Sequence, residues 1–279
     1  MLQSTFQLAP GLGATREKRL WASGVARWSD YAGQARLPAE LDRTLRAALD
    51  AAEEAHAAGD VARLARLVPP REHWRLLGEL GRAAVYLDIE TSDDAVGFAG
   101  ISAIGLLDAR GPRILLAERD LHLFPELSSE WQLLVTFNGG AFDVPILRRA
   151  FPDWQPPPAH LDLRLVMPRV GQPGTLKHVE RRVAGLFLER PPHLAELGGV
   201  GAARLFRLGR AGDRAAWRRF AEYNLYDVIG LRTLAAFAHN SLVEQLVARA
   251  PALRGAVCPL PVPGRGDLLY DVSKILLAL

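Results

Sequence analysis

The stretch Ala83-Ala84-Val85-Tyr86-Leu87-Asp88-Ile89-Glu90-Thr91 decides how this 279-residue chain is read. Its first five residues form a continuous apolar run, too short for a free-standing helix and suited to a buried strand. The run then meets two carboxylates. Side chains two apart along a strand point to one side, so Asp88 and Glu90 share a face. Neighbouring carboxylates repel each other, and a fold that holds them together needs a cation to offset the repulsion. An Asp-x-Glu at a strand end is also a common surface feature, so the pair needs partners elsewhere in the chain.

Working downstream, residues 100–107 and 113–117 read as strands joined by the turn-rich Asp108-Ala109-Arg110-Gly111-Pro112, which predicts a hairpin. Residues 133–137 predict a fourth strand, closed by Asn138-Gly139-Gly140, and 144–150 a helix broken by Pro152 and Pro156-Pro157-Pro158. Helical patterns follow at 175–184, 202–208, 214–238 and 242–248. Upstream, 14–21 has helical composition, 38–58 places Leu41, Leu45, Ala48, Leu49 and Ala52 on one face before Gly59, and a short helix follows Asp60. Helices first, then strands, then alternating strand and helix predict an α/β fold, a mixed sheet flanked by helices. The chain divides into a helical N-terminal region at 1–80, an α/β domain at 81–241, and a C-terminal helix with an extended tail at 242–279.

Two further segments bring polar residues to the ends of apolar elements. In Phe137-Asn138-Gly139-Gly140-Ala141-Phe142-Asp143 a strand runs through glycines into an acid that opens a helix, where Asp commonly serves as a cap. In Tyr223-Asn224-Leu225-Tyr226-Asp227 the four-residue spacing puts Tyr223 and Asp227 side by side on a helix. The structural alternative is a surface acid beside a half-buried tyrosine. Leu225, Val228, Leu231 and Leu234 form the adjacent buried stripe, which sets Asp227 at the border of the core.

These three segments, in this order, resemble the motifs of the DEDD 3′→5′ exonucleases in their tyrosine-bearing subgroup: Asp88-x-Glu90, Asn138-x-x-x-Phe142-Asp143 and Tyr223-x-x-x-Asp227. More narrowly, Asp88-Ile89-Glu90-Thr91, the 137–143 segment, Leu176-Lys177-x-x-Glu180 and Glu222-Tyr223-Asn224-x-x-Asp227 look like YprB-type ribonuclease H-like proteins. The resemblance covers about residues 81–240 and implies a ribonuclease H-like fold with metal-dependent 3′→5′ exonuclease activity on DNA or RNA, at a single-stranded 3′ end. It also implies that Asp88 bridges two metal ions, that Glu90 and Asp227 hold the one activating water, that Asp143 helps hold the other, and that Tyr223 orients the attacking water.

The chemistry of the residues agrees. Four carboxylates with no converging His or Cys make an all-oxygen donor set, suited to Mg²⁺ or Mn²⁺ rather than zinc. Two such ions about 3.5–4 Å apart stabilise both the attacking and the leaving oxygen at phosphorus. Tyrosine, with an ordinary pKa near 10, serves better as a hydrogen-bond partner than as a base at neutral pH.

Composition adds limits. An apolar fraction of 49% fits a globular core, no apolar run approaches the length of a membrane span, and the start lacks the pattern of a secretory signal, so a cytoplasmic protein without membrane contact is expected. Cys258 stands alone and excludes an internal disulfide or a cysteine-built zinc site. The net charge of +3 is small, but residues 164–219 carry twelve basic side chains against four acidic ones. Such a segment is either a solvated helical surface or a contact for a polyanion. Within it, Lys177 and Arg181 lie on a helix following Gly174-Thr175, which is either a helix start where a phosphate can sit or a capped helix with a solvated lysine; upstream of it, Asn138 lies in the second motif and is a further candidate contact. Pro10-Gly11-Leu12-Gly13 resembles part of a helix-hairpin-helix element at 6–28, whose Gly11 and Gly13 would approach a phosphate, or is a plain turn. Asp162 reads as a turn acid outside the metal shell. Two other functions fit the same residues: a nucleic-acid-binding module of this fold with little turnover, and a structure-specific endonuclease. Protein partners are not legible.

Overall fold

In the computed structural model, which describes residues 1–32, 37–93, 95–183, 190–261 and 275–276, the apolar run before Asp88 is the central strand of a sheet. This strand, β1 (Ala84–Thr91), is flanked by β2 (Ile101–Asp108) and β4 (Leu133–Thr136), with β3 (Gly111–Leu116) and β5 (Ala159–Asp162) outside them in the order β3-β2-β1-β4-β5. β1 runs antiparallel to β2 and parallel to β4, and β2 and β3 form the predicted hairpin. A strand covered on both faces needs apolar residues on both, which explains the unbroken run.

The pattern predicts four strands, and the structure adds β5, paired parallel to β4 from Leu133↔Ala159 to Thr136↔Asp162. Its four residues alternate buried with half-buried and include His160 and Asp162, so no apolar run marks it.

Ahead of the sheet lie α1 (Ala14–Ala22), α2 (Ala39–Ala58), α3 (Val61–Leu67) and α4 (Leu77–Leu80). Gly59, at φ 66°, closes α2 in the left-handed conformation, and the Asp60 carboxylate accepts from the Arg63 N–H to start α3. Leu45, Leu49 and Trp74 of this region belong to the same apolar cluster as Tyr86, Leu133 and Leu231. The N-terminal helices and one face of the sheet therefore share a core.

After β3 come α5 (Phe124–Leu127), α6 (Asp143–Ala150), α7 (Leu163–Val166), α8 (Leu176–Val183), α9 (Pro192–Ala195), α10 (Gly199–Arg210) and α11 (Arg214–Arg249). Val85, Leu87 and Ile89 of β1 pack with Ile146 and Leu147 of α6, while Ala84 and Tyr86 pack in the cluster of Val228, Leu231 and Leu234 of α11. Strand alternation then carries Asp88 and Glu90 to the α11 side.

The reading places one helix at 214–238, another at 242–248 and a boundary after 241; α11 instead runs unbroken through Asn240 and Ser241. From Leu231 to Ala250 there is no Gly or Pro to stop it, and Asn240 engages both the N–H and the carbonyl of Leu260 with its side chain. Most of the tail predicted as extended lies outside the described residues, as does Asp94.

Candidate active site

Sheet register makes room for the first two carboxylates. Asp88 lies opposite Gly105 and Glu90 opposite Ala103 on β2, so small residues flank the acids on the face that meets α11. A Cβ at Gly105 would stand 2.2 Å from Asn224 Oδ1. This gap lets α11 settle close enough for Asn224 Nδ2 to donate to Asp88 Oδ2 at 3.0 Å and to the Asp88 carbonyl at 3.3 Å. Asp227 and Tyr223 lie one turn apart on the same helix.

Asp143 is the first residue of α6 rather than its cap, and its Oδ1 accepts from the Ile89 N–H at 3.0 Å. The acid is thereby tied to β1 between the first two carboxylates. The loop leading to it turns at Asn138, which adopts φ 72°, a left-handed conformation that Asn tolerates. Asp162 fastens that loop, accepting from the N–H groups of Asn138 at 2.7 Å, Gly140 at 3.1 Å and Arg164 at 3.0 Å. Its role as a turn acid stands.

A cavity of about 430 Å³ is lined by Asp88, Glu90, Asp143, Asp227, Tyr223 and Lys177, with Asn138 and Phe142 on its loop side. Glu90 is 8% exposed, Asp143 3% and Asp227 2%. Burial, followed by the charges of Asp227, Asp143 and Glu90, holds the Asp88 carboxyl well above its usual range. Burial and then Asp227 push Glu90 up to about 8. Asp143 is pushed up to about 7 by burial, against the pull of its backbone hydrogen bonds.

One oxygen each from Asp88, Glu90 and Asp227 can lie within 4.8 Å of the others. Such a cluster of hard oxygen donors, buried and mutually repelling, fits a divalent cation such as Mg²⁺ or Mn²⁺, and Asp143 adds a fourth carboxylate to the same cavity.

Cations of the chain border this cluster. Lys177 Nζ donates to the Tyr223 hydroxyl at 2.8 Å and lies 4.3 Å from the ring centroid, and burial lowers its pKa. Burial raises the pKa of Tyr223, and Asp227, Glu90 and Asp88 raise it further, so the phenol stays protonated at neutral pH. Behind Asp227, Arg190 Nη2 reaches Asp227 Oδ1 at 2.5 Å and the Glu180 oxygens at 3.1 and 2.9 Å. Burial works against the Arg190 charge, yet Asp227 and Glu180 outweigh it and raise the guanidinium pKa.

Of the residues singled out from the sequence, Asp88, Glu90, Asn138, Asp143, Lys177, Tyr223 and Asp227 meet in this cavity. Arg181 stands apart with an exposed side chain 4.0 Å from Glu196. Gly11 and Gly13 lie at the N-terminal turn. Gly13 holds the N-cap position of α1 and the Gly11 carbonyl accepts from Arg16 Nη1 at 2.5 Å. The chain before that turn has only a three-residue 3-10 helix, Leu2–Ser4, so the leading helix of a helix-hairpin-helix unit is missing among the described residues. Buried Glu17 fills its place, accepting from Thr5, the Phe6 N–H, Gln7 and Arg75. The basic stretch at 164–219 is also less free than its charge implies. Arg169 pairs with Glu72, Arg190 with Asp227 and Glu180, and Arg210 with Glu118.

Sequence reading missed three contributors. Asn224 and Glu180 sat inside the quoted motifs; Asn224 was signalled by its polarity amid the buried stripe of α11, while Glu180 lies on the charged helix Leu176–Val183, where one more acid carries no signal. Arg190 offered none, because a lone arginine among twelve basic residues reads as surface charge.

A family model described as the RNase_H superfamily matches residues 85–238, which take in the five described strands except Ala84 and carry all four carboxylates. No curated protein matches the chain. The match covers more than half of the sequence and coincides with the mixed sheet and its helices, and on it the chain belongs to the ribonuclease H superfamily.

Proposed function

We propose that this protein is a metal-dependent 3′→5′ exonuclease of the tyrosine-bearing DEDD type, hydrolysing phosphodiester bonds of DNA or RNA from a 3′ end. Superfamily membership and the acidic cluster point to nuclease chemistry on nucleic acid. The observation that carries the finer reading is the meeting of Asp88, Glu90, Asp143 and Asp227 with Tyr223 around one open cavity. Tyr223 separates this reading from an acid-only site, because an acid-only site has no use for a phenol there.

In this mechanism Asp88, Glu90, Asp143 and Asp227 hold two divalent ions, which when bound supply charge neutralisation at the phosphate and a water of lowered pKa. Tyr223 contributes a hydroxyl that remains protonated and accepts from Lys177, leaving its own proton directed at the attacking water. Lys177 lines the cavity and places a positive charge beside the phosphate. Asn224 fixes Asp88, and Ile89 fixes Asp143, so neither acid has to reorganise during the reaction.

The test is hydrolysis of matched 5′-labelled single-stranded DNA and RNA with Mg²⁺, Mn²⁺ or EDTA, beside the Asp88→Ala variant. A ladder shortening from the 3′ end, lost with EDTA and in the variant, is the expected result and chooses the sugar. Cleavage of circular substrate would replace the exonuclease by an endonuclease. Binding without cleavage would leave a nucleic-acid-binding module.

A further inference from the structure

Three separated segments build a support behind Asp227. Glu180 projects from α8 and holds Arg190 Nη2 with both of its oxygens, at 3.1 and 2.9 Å. The same nitrogen reaches Asp227 Oδ1, and the Arg190 guanidinium lies 5.6 Å from the Tyr223 ring centroid. The Arg190 side chain is 11% exposed, and its Nη1 has no hydrogen-bond partner among the described residues. On α11, three residues beyond Asp227, the absence of a side chain at Gly230 admits Glu180, because a Cβ there would lie 2.5 Å from Glu180 Oε1. Arg190 and Glu180 are not among the described residues lining the cavity. The link of Arg190 to the cavity runs through Asp227, which does line it.

We propose that Arg190 is a positioning residue: anchored by Glu180 in the space left by Gly230, it serves as the resident cation of the site and fixes the orientation of Asp227 that turnover requires. The inference rests on the reading of Asp227 as a metal ligand. Its physical content is twofold. In the metal-free protein, Arg190 offsets one of the crowded carboxylates, and removing its charge leaves Asp227 and Glu180 as uncompensated neighbours. In the loaded site, its hydrogen bond occupies Oδ1 and restricts how Asp227 can turn. A dication and a guanidinium compete for the same negative charge, so losing Arg190 favours metal binding while loosening the geometry that turnover requires.

The experiment compares wild type with Arg190→Gln, Arg190→Lys and Glu180→Gln by thermal melting in EDTA and in Mn²⁺, and by kcat and KM at saturating Mn²⁺. Arg190→Gln is expected to melt lower than wild type in EDTA, to gain more from Mn²⁺ than wild type does, and to lose at least about tenfold in kcat with little change in KM. Arg190→Lys keeps the charge but not the planar fork, and is expected to recover the wild-type Mn²⁺ gain with only part of kcat. A lower melting point equal in EDTA and Mn²⁺, with kcat unchanged, would make Arg190 a structural ion pair and overturn the proposal. Should Arg190→Gln fail to fold, Glu180→Gln decides: loss of kcat supports the support chain, and wild-type kcat overturns it. If the wild type itself hydrolyses nothing, the exonuclease reading fails, and the Mn²⁺ gain in melting still decides the role of Arg190.

Discussion

Asn224 donates to Asp88 Oδ2 at 3.0 Å from a position where its own Oδ1 fills the space above Gly105. One glycine on β2 thus sets how deeply α11 presses on the carboxylate of the neighbouring strand. Gly105→Ala would force a Cβ against a side chain that is fully buried and has no room to retreat. The expected cost is about 1–3 kcal/mol of stability, as for other overpacked sites. Metal-dependent hydrolysis is expected to fall at least about tenfold as Asp88 loses its donor. Chemical denaturation and rate measurements on one preparation check both, and a variant with wild-type stability and rate would show that Asn224 has slack.

Tyr223→Phe removes the hydroxyl that Lys177 holds at 2.8 Å but leaves every carboxylate in place. The rate is expected to fall by about a hundredfold, the scale of a lost proton-handling or water-orienting group, without abolition. Mn²⁺-induced stabilisation should stay as in the wild type. Asp227→Asn should lose both, by about a thousandfold or more in rate. Equal rates for wild type and Tyr223→Phe would remove the phenol from the mechanism.

The strand before Asp88 was legible because a central strand buried on both faces leaves an uninterrupted apolar run, and β1 bears that pattern. The carboxylates were legible because acids at the ends of such elements are costly to keep. β5 was not, since half of its four residues are polar and its place is set by pairing with β4. Arg190 was not, because its meaning comes from Asp227, which lies 37 residues away in sequence. The continuity of α11 through residue 241 was not, because His239-Asn240-Ser241 interrupts the apolar pattern in sequence, whereas the helix follows tertiary burial, with His239 inside the core.

The pH dependence of stability follows from the raised carboxyls. Glu90 rises from 4.5 to about 8 and Asp143 from 3.8 to about 7 in the folded, metal-free protein. Between about pH 4 and pH 8 the folded state binds more protons than the unfolded chain, so stability falls as pH rises through that window. The melting temperature in EDTA is expected to drop from pH 5 to pH 8, and Mg²⁺ or Mn²⁺ to restore more of it at pH 8 than at pH 5. The Glu90→Gln variant, with one titrating group fewer, should show a shallower slope. Melting points in EDTA that do not change across the window would contradict the electrostatic picture of the cavity.

Phe142 leaves 43% of its surface exposed beside Asp143, lining the cavity that holds the four carboxylates. Large apolar side chains are costly to leave in water, and an aromatic face next to a phosphate-handling site offers a stacking surface to a nucleobase. Such stacking is worth about 1–3 kcal/mol per base and tolerates any base. Phe142→Ala is therefore expected to raise KM for single-stranded DNA or RNA by about tenfold. The rate on an oligonucleotide whose 3′-terminal residues are abasic, and which therefore has no base to stack there, should not change. Because the lost contact carries no charge, the slope of log KM against log salt should also match the wild type, whereas Lys177→Ala should flatten it. A Phe142→Ala variant impaired equally on both substrates would mean that the ring supports Asp143 instead of the substrate.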